Sequence, residues 1–456
     1  MAAKKKQQLT VEEKMQQALV PQEEQPYKIP ANWCWTYIKD VSNVITGKTP
    51  NKKNKEYYGE TFPFFKPADL DMGRSVFAAS EYLSESGKKI STKIPKNSTL
   101  ICCIGTIGKS GYLLVDGTTN QQINSLIPKI NPLFLYYYTN TERFVQELKL
   151  KASATTIAIV NKSKTETCTF PLAPLNEQQR IVNVIESLFA KLDEAKQLIQ
   201  NTIDKFEQNK MAILHKAFSG ELTAKWREEN NIDLSSWENQ SINEVCEINP
   251  KKVDTKKLDD NLSVSFIPMP CVSDILGKIT SMEIRNLVEV KKGYTNFSEG
   301  DILFAKITPC MENGKSAIVG KLENDIGFGS TEFHVLRCDT DKINNKFLHY
   351  FVRQRKFRDE AKAQMTGAVG QQRVPKIFIE DYKINLPIIE EQQAIVNILD
   401  KVFIKYDKIK DLQAQIDKIE LLKKSILAKA FRGELGTNDP NEESAEVLLR
   451  EILAGR

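Results

Sequence analysis

Two rhythms of apolar and polar positions run along this chain. In one stretch Ile185, Leu192, Ile199, Phe206 and Ile213 recur every seven residues, flanked by Leu188 and Ala195. In another Ile395, Val402, Ile409 and Ile416 do the same, with Leu412, Ile419 and Ile426 as a second row. A sustained seven-residue period predicts helices that supercoil on a partner. Asn176 followed three residues later by Gln179 reads as a capping box opening the first helix. In the second block Glu390 stands where that Asn would be. Gly220 and Gly433 suit the left-handed positions that stop helices. Each helix is predicted to run ~40 residues, or ~60 Å. One such helix alone would leave its apolar seam wet; two matched seams in one chain predict an antiparallel coiled coil.

Elsewhere the pattern is short and strand-like. Thr99–Ile104 pairs in character with Tyr112–Val115, and Asp301–Ala305 with Ala317–Val319, separated by loops bearing Gly and Pro. The two rhythms repeat. Glu177-Gln178-Gln179 with Ile181, Val182 and Asn183 returns as Glu391-Gln392-Gln393 with Ile395, Val396 and Asn397, 214 residues on. Ala217-Phe218-Ser219-Gly220-Glu221-Leu222 returns as Ala430-Phe431-Arg432-Gly433-Glu434-Leu435 at an offset of 213. Trp33, Ile38, Val41 and Val44 match Trp237, Ile242, Val245 and Ile248 at an offset of 204. Such a repeat fixes the architecture: α+β, with two mixed, β-rich domains separated by two long helices in an internal pseudo-twofold repeat. The predicted boundaries are an N-terminal helical segment at 1–25, a first mixed domain at 26–170, a central helical region at 171–235, a second mixed domain at 236–386 and a C-terminal helical region at 387–456.

Between the shared markers the halves diverge, and their loops carry basic and amide side chains. The first half offers Lys48, Thr49, Lys52 and Lys53, then Lys66, then Gly105, Thr106 and Lys109, then Asn120, Gln121 and Gln122. The second offers Lys306, Thr308, Asn313 and Lys315, then Ser330 and Thr331, then Gln371, Gln372 and Arg373. Base edges select these types: Arg and Lys for guanine, Asn and Gln for adenine. Lys, Ser and backbone N–H groups hold phosphates and set register. Any single loop of this kind is an ordinary polar surface turn; matched loops in both halves bring contact with duplex DNA level with that reading. Aligning Gly108-Lys109-Ser110 with Gly314-Lys315-Ser316 makes the second loop four residues longer, as two different half-sites would require.

Composition narrows the chemistry. The 456 residues carry a net charge of +5, a mild basic bias that permits nucleic-acid binding without demanding it. The eight cysteines form no Cys-x-x-Cys pair and lie near none of the three histidines at zinc-site spacing. No apolar run spans a membrane, and the Met-Ala-Ala-Lys-Lys-Lys start has no apolar signal region, so a cytoplasmic protein is expected. Both Gly-Lys-Ser tripeptides lack the earlier glycine of a phosphate-binding loop, because Cys103 and Pro309 stand there. Gly327-Phe328-Gly329 leads to Glu332 and not to the third glycine of a dinucleotide fingerprint. No Pro-Pro dipeptide supplies an amino-methyltransferase pocket. Asp274 with Glu289-Val290-Lys291 only loosely echoes a nuclease metal cluster. No catalytic residue and no metal site is expected. A stand-alone methyltransferase or nuclease, and a coiled-coil interaction protein without a DNA role, are the competing readings.

Taken in order, and twice, these markers make the chain resemble the specificity subunits of type I restriction-modification enzymes. The marks are Ile29-Pro30-x-x-Trp33, then Pro174-Leu175-Asn176-Glu177-Gln178-Gln179 with its longer counterpart Pro387 to Gln393, then Phe-x-Gly-Glu-Leu closing each helix. The tail Asn438-Asp439-Pro440-Asn441-Glu442-Glu443-Ser444-Ala445 belongs to the same pattern. Trp237 departs from it, lacking the preceding Pro-x-x. The resemblance implies two target recognition domains, each reading half of a split asymmetric DNA site, with the helices as a ruler for the spacer. It implies docking of two modification subunits that carry S-adenosylmethionine and methylate adenine, and of restriction subunits that use ATP and Mg. The chain itself would hold no cofactor. It also implies that the N-terminal segment and C-terminal tail lie together, with a short helix at Thr10–Leu19 opened by a Thr10/Glu13 capping box.

Overall fold

In the computed structural model the described residues are 9–153, 158–368, 370–404 and 409–455, with backbone only at 409 and 410. The fold is α+β. Among the described residues, nine helices reach eight residues or more. They are α1 (Val11–Ala18), α2 (Pro132–Thr139), α3 (Glu142–Lys151), α4 (Leu175–Phe218), α5 (Asn345–Arg353), α6 (Arg355–Ala363), α7 (Ile389–Phe403), α8 (Ile409–Ala430) and α9 (Ala445–Ala454). The chain packs as two compact units: one holds the residues up to Leu198 together with Gln415 onward, and the other holds Ile199–Ala414.

The first unit is built on nine strands: β1 (Cys34–Tyr37), β2 (Ser42–Thr46), β3 (Tyr58–Phe65), β4 (Glu81–Leu83), β5 (Thr99–Cys102), β6 (Ser110–Tyr112), β7 (Thr118–Thr119), β8 (Ile123–Pro128) and β9 (Thr169–Leu172). They form sheets ordered β2-β8-β5-β6 and β4-β3-β7, plus the pair β1-β9. The second unit repeats this plan with β10 (Glu238–Ser241), β11 (Cys246–Ile248), β12 (Ser263–Ile267), β13 (Glu283–Asn286), β14 (Thr295–Phe297), β15 (Ile302–Ala305), β16 (Ser316–Ile318), β17 (Gly327–Gly329), β18 (Phe333–Cys338) and β19 (Lys383–Leu386). Its sheets run β11-β18-β15-β16 and β13-β12-β17-β14, plus β10-β19. The repeat read from the markers is therefore a repeat of topology.

Local expectations fare unevenly. The two central hairpins exist, but in the first Thr99 faces Tyr112 and Ile101 faces Ser110, so the return strand is Ser110–Tyr112 and not Tyr112–Val115. Ile101 opposite Ser110 leaves the loop Cys102–Lys109, whereas Phe304 opposite Ser316 leaves Ala305–Lys315. The second loop is thus three residues longer, not four. Helix α4 runs 44 residues, and Gly220 (φ 83°) and Gly433 (φ 73°) take the left-handed conformation just beyond α4 and α8. The second long block is described as α7 and α8, with 405–408 outside the described residues.

The heptad seam is buried at its ends. Ile185 and Ile395 are fully covered, Ile416 and Ile419 nearly so, and Leu192, Ile199, Phe206, Ile213 and Val402 are half-buried. The side chain of Ile409 lies outside the described residues. Within the first unit α4 and α8 run antiparallel, because Asp193 pairs with Lys423 while Lys196, further along, pairs with the earlier Glu420 at 2.6 Å. The N- and C-terminal segments meet as expected. The Thr10/Glu13 capping box is formed, Glu12 pairs with Arg450, and Lys14 donates to the Leu453 carbonyl.

Candidate nucleic-acid interface

The repeated Glu-Gln-Gln triplet is the joint between each module's opening Trp, its capping Asn and the helix that follows. Glu177 and Glu391 are fully buried. Each carboxylate accepts from the indole that opens its module, Trp33 Nε1 at 2.7 Å and Trp237 Nε1 at 2.9 Å. The next residue caps the following junction: Gln178 Oε1 accepts from the Asn131 N–H at 3.0 Å, and Gln392 Oε1 from the Asn344 N–H at 2.8 Å. The third Gln takes the Asn131 or Asn344 carboxamide and donates to Asn183 or Asn397 one turn on. Gln179 is therefore spent on Asn131 and Asn183. The expected Asn176/Gln179 capping box does not form, because α4 already begins at Leu175, with Asn176 inside its first turn. Asn131 and Asn344 in turn cap α2 and α5 with their side-chain oxygens.

A second joint lies further along each helix. Tyr137 on α2 donates to Glu186, which also holds Arg74; Tyr350 on α5 donates to Asp400 at 2.6 Å, which also holds Lys346 at 2.7 Å. The acids stand at matched helix positions, so both joints belong to the shared scaffold.

The predicted reading residues of the first half converge at one end of the sheets. Lys48 N–H donates to the Thr119 carbonyl, and Thr49 Oγ1 donates to Gln121 Oε1 at 2.5 Å. Gly47 is needed there: a Cβ would stand 2.1 Å from the Asn120 carbonyl. Cys103 N–H donates to the Gln122 carbonyl, tying the 105–109 loop to the 120–122 loop. Asn120 donates to the Phe65 carbonyl from its backbone, which brings Lys66 alongside. Asn120 is buried and exchanges hydrogen bonds with Gln122, while Gln121, Gly105 and Thr106 are exposed. Lys109 pairs with Asp71 at 2.5 Å and Lys66 with Glu81 at 2.7 Å. Lys48, Lys52 and Lys53 are exposed, with no ion pair among the described residues.

The second half gathers its residues in the same way. Lys306 N–H donates to the Glu332 carbonyl, Thr308 N–H to the Gln372 carbonyl, and Val374 N–H to the Lys306 carbonyl. Arg373 forms a two-pronged pair with Glu332 at 2.8 Å for both contacts and donates to the Gln371 carbonyl. That pair holds the Glu332 carboxyl below its usual range, whereas burial pushes the Lys306 ammonium down. Ser330 Oγ accepts from the Glu332 N–H. Lys315 Nζ reaches the Met269 carbonyl at 3.3 Å, and Asn313, Thr331 and Gln371 are exposed. Thr308 Oγ1 is buried without a hydrogen-bond partner among the described residues.

Sequence reasoning missed the acids Asp71 and Glu81, which neutralise and orient Lys109 and Lys66 from far along the chain. Glu332 lies in a loop read for DNA contact, where a Glu would accept from cytosine, yet its carboxylate is held by Arg373. Sequence reasoning also missed Arg353 and Arg358, which touch the second loop. In the loose nuclease echo, Lys291 pairs with Asp260 and Arg353 grips the Asp274 carbonyl. Among the described residues no helix is long and apolar enough to cross a membrane.

Comparison with known proteins bears on this arrangement. Residues 30–205 and 235–418 match the family described as type I restriction modification DNA specificity domain. The type I restriction enzyme EcoAI specificity subunit of Escherichia coli is 35% identical over 268 residues, 49% of this chain and 45% of that protein. The matched part is thus under half of that relative. The StySPI specificity subunit of Salmonella potsdam is 23% identical over 94% of this chain and 96% of its own length. A solved chain from work on complex assembly and conformational transition of the type I R-M system shares the fold, with a TM-score of 0.67 at 19% identity over 90% of this chain and all of that one. With both modules matched in order, this chain belongs to the type I restriction modification DNA specificity domain family.

Proposed function

We propose that this chain is the DNA-recognition subunit of a type I restriction-modification complex and carries no catalysis of its own. One observation carries the reading: the same Glu-Gln-Gln and Trp framework holds two clusters of loops that differ in length and charge. Equal mounts with unequal readers suit a site of two different halves. In this reading Lys48, Thr49, Lys52, Lys53, Lys66, Gly105, Thr106, Lys109, Asn120, Gln121 and Gln122 face one half-site. Lys306, Thr308, Asn313, Lys315, Ser330, Thr331, Gln371, Gln372 and Arg373 face the other. The reading domains span 26–170 and 236–386, and the helical regions at 171–235 and 387–456 dock two modification subunits and the restriction subunits. S-adenosylmethionine, ATP and Mg act on those partners, in the cytoplasm.

Co-expression with the modification subunits, followed by genome-wide mapping of methylated adenines, tests this. The expected result is one bipartite motif with unlike halves and a fixed spacer. A palindromic motif, or methylation without sequence preference, would overturn it.

A further inference from the structure

The two units can be superposed residue by residue along α2–α3 and α5–α6. Asn131 matches Asn344 as the capping residue, Phe134 matches Phe347, and Phe144 matches Phe357, all four phenylalanines being fully buried. On that register Asn140 corresponds to Arg353 and Val145 to Arg358. These positions lie behind the Gly-Lys-Ser turn of each hairpin. In the first unit the contact is neutral. Ser110 Oγ donates to Asn140 Oδ1 at 2.9 Å, and a Cβ on Gly108 would stand 2.8 Å from a Val145 methyl. In the second unit both places hold guanidinium groups.

Each donates to one backbone carbonyl of the longer loop, and both have further backbone acceptors outside it. Arg353 Nη1 donates to the Gly314 carbonyl at 2.9 Å, and Nη2 to the Asp274 carbonyl at 2.7 Å and the Ile275 carbonyl at 3.1 Å. Arg358 Nη1 donates to the Glu312 carbonyl, while its Nε takes the Arg353 carbonyl at 3.2 Å. A Cβ on Gly314 would touch Arg358 at 3.4 Å. The hairpin loop that gained three residues therefore gained two planar, multi-donor braces, matching the carbonyls that a longer loop leaves without ladder partners. Burial and the neighbouring Arg358 charge lower the Arg353 guanidinium to about 10, so the brace is kept against an electrostatic cost.

We infer that Arg353 and Arg358 are positioning residues that set the shape of the 305–315 loop and thereby the specificity of the second half-site alone. The inference rests on the proposed DNA-recognition role. A rival reading exists on the same residues: with Lys210, Asn313 and Arg355 they line a cavity of about 360 Å³ that a backbone phosphate would suit.

The test uses the full chain assembled with modification subunits and reads methylation of duplexes randomised in either half-site, at several salt concentrations. The variants are Arg358→Val and Arg353→Asn, the residues of the first unit, Arg358→Lys, and Gly314→Ala, which strains the loop at φ 80° while keeping both guanidinium groups, its Cβ only in ordinary contact with Arg358 at 3.4 Å. Discrimination at the second half-site should fall about 10-fold or more in Arg358→Val, Arg353→Asn and Gly314→Ala, with Arg358→Lys intermediate and the first half-site within about twofold. Equal loss at both half-sites, or loss at neither, overturns the inference. Base preference kept while affinity falls uniformly and the salt slope drops by about one would make the arginines phosphate ligands instead. If an arginine variant does not fold, Gly314→Ala still decides. A wild-type complex without any half-site preference would fail the parent reading, independently of these variants.

Discussion

The duplicated buried glutamates differ in one respect that makes the same substitution unequal. Glu391 Oε1 accepts from Arg227 Nη1 at 2.5 Å and from Thr223 Oγ1 at 2.6 Å, while Oε2 takes Trp237. Arg227 is itself only 7% exposed. Glu177 has no ion pair among the described residues: Oε2 accepts from Trp33 and Asn438 and Oε1 from Thr437, while Arg180 is engaged by Glu442. In Glu177→Gln the amide oxygen can serve Trp33 and Asn438, and the NH₂ can donate to the Thr437 hydroxyl oxygen. That variant should lose about 1 kcal/mol, the scale of one weakened hydrogen bond. In Glu391→Gln either orientation points an NH₂ at a donor, Arg227 or Trp237, and the guanidinium is left buried without a counter-charge, at a cost of about 3–5 kcal/mol. Global unfolding of two units is not two-state, so the assay is native-state hydrogen exchange, with β5 amides reporting the first unit and β15 amides the second. If Glu177→Gln costs its unit as much as Glu391→Gln costs the other, the reasoning from counter-charge is wrong.

Acid should loosen the second unit through His349, whose imidazole burial holds at about 3 against an ordinary 6.5. Between those values the unfolded chain binds a proton that the folded one refuses, so stability falls as pH falls, by up to ~1.4 kcal/mol per pH unit. His349→Gln should flatten that slope between pH 6.5 and 4 in exchange at β15 amides; an unchanged slope would exonerate the histidine. Gly433→Ala combines φ 73° with a Cβ 2.3 Å from Pro30 Cγ and should lower the stability of the first unit by at least about 1 kcal/mol, read as faster hydrogen exchange at β5 amides. One turn of helix inserted after Ile199 adds ~5.4 Å against a base-pair rise of ~3.4 Å, so the methylated motif should gain one or two spacer base pairs. An unchanged spacer would separate the helices from spacing.

What the chain disclosed by inspection was its grammar: the repeat, the long helices, the glycine stops and the matched polar loops. Those signals are local or periodic, and periodicity survives in one dimension. The uses of the repeated words were hidden. Gln179 has the spacing of a capping residue, yet its carboxamide is taken by Asn131, 48 residues away, and tertiary geometry outbids the local pairing. Asp71 and Glu81 were invisible for the same reason, as was the pairing of Glu332 with Arg373. The three-residue loop difference was nearly legible, and aligning the Phe144 and Phe357 helices would have exposed the arginine pair.

The first unit is interrupted in sequence: Leu427, Phe431, Ala445 and Leu449 complete a core that also holds Phe134 and Ile185, while the second unit is one continuous stretch. On the ribosome, therefore, the module translated first is finished last. At ~5–20 residues per second its core waits on the order of tens of seconds with an open apolar face, while the second unit emerges and closes. A chain released early would carry a sound second unit and an unsealed first one, with that uncovered face as bait for chaperones and proteases. Both units are therefore finished only once the stretch from Gln415 onward has been made.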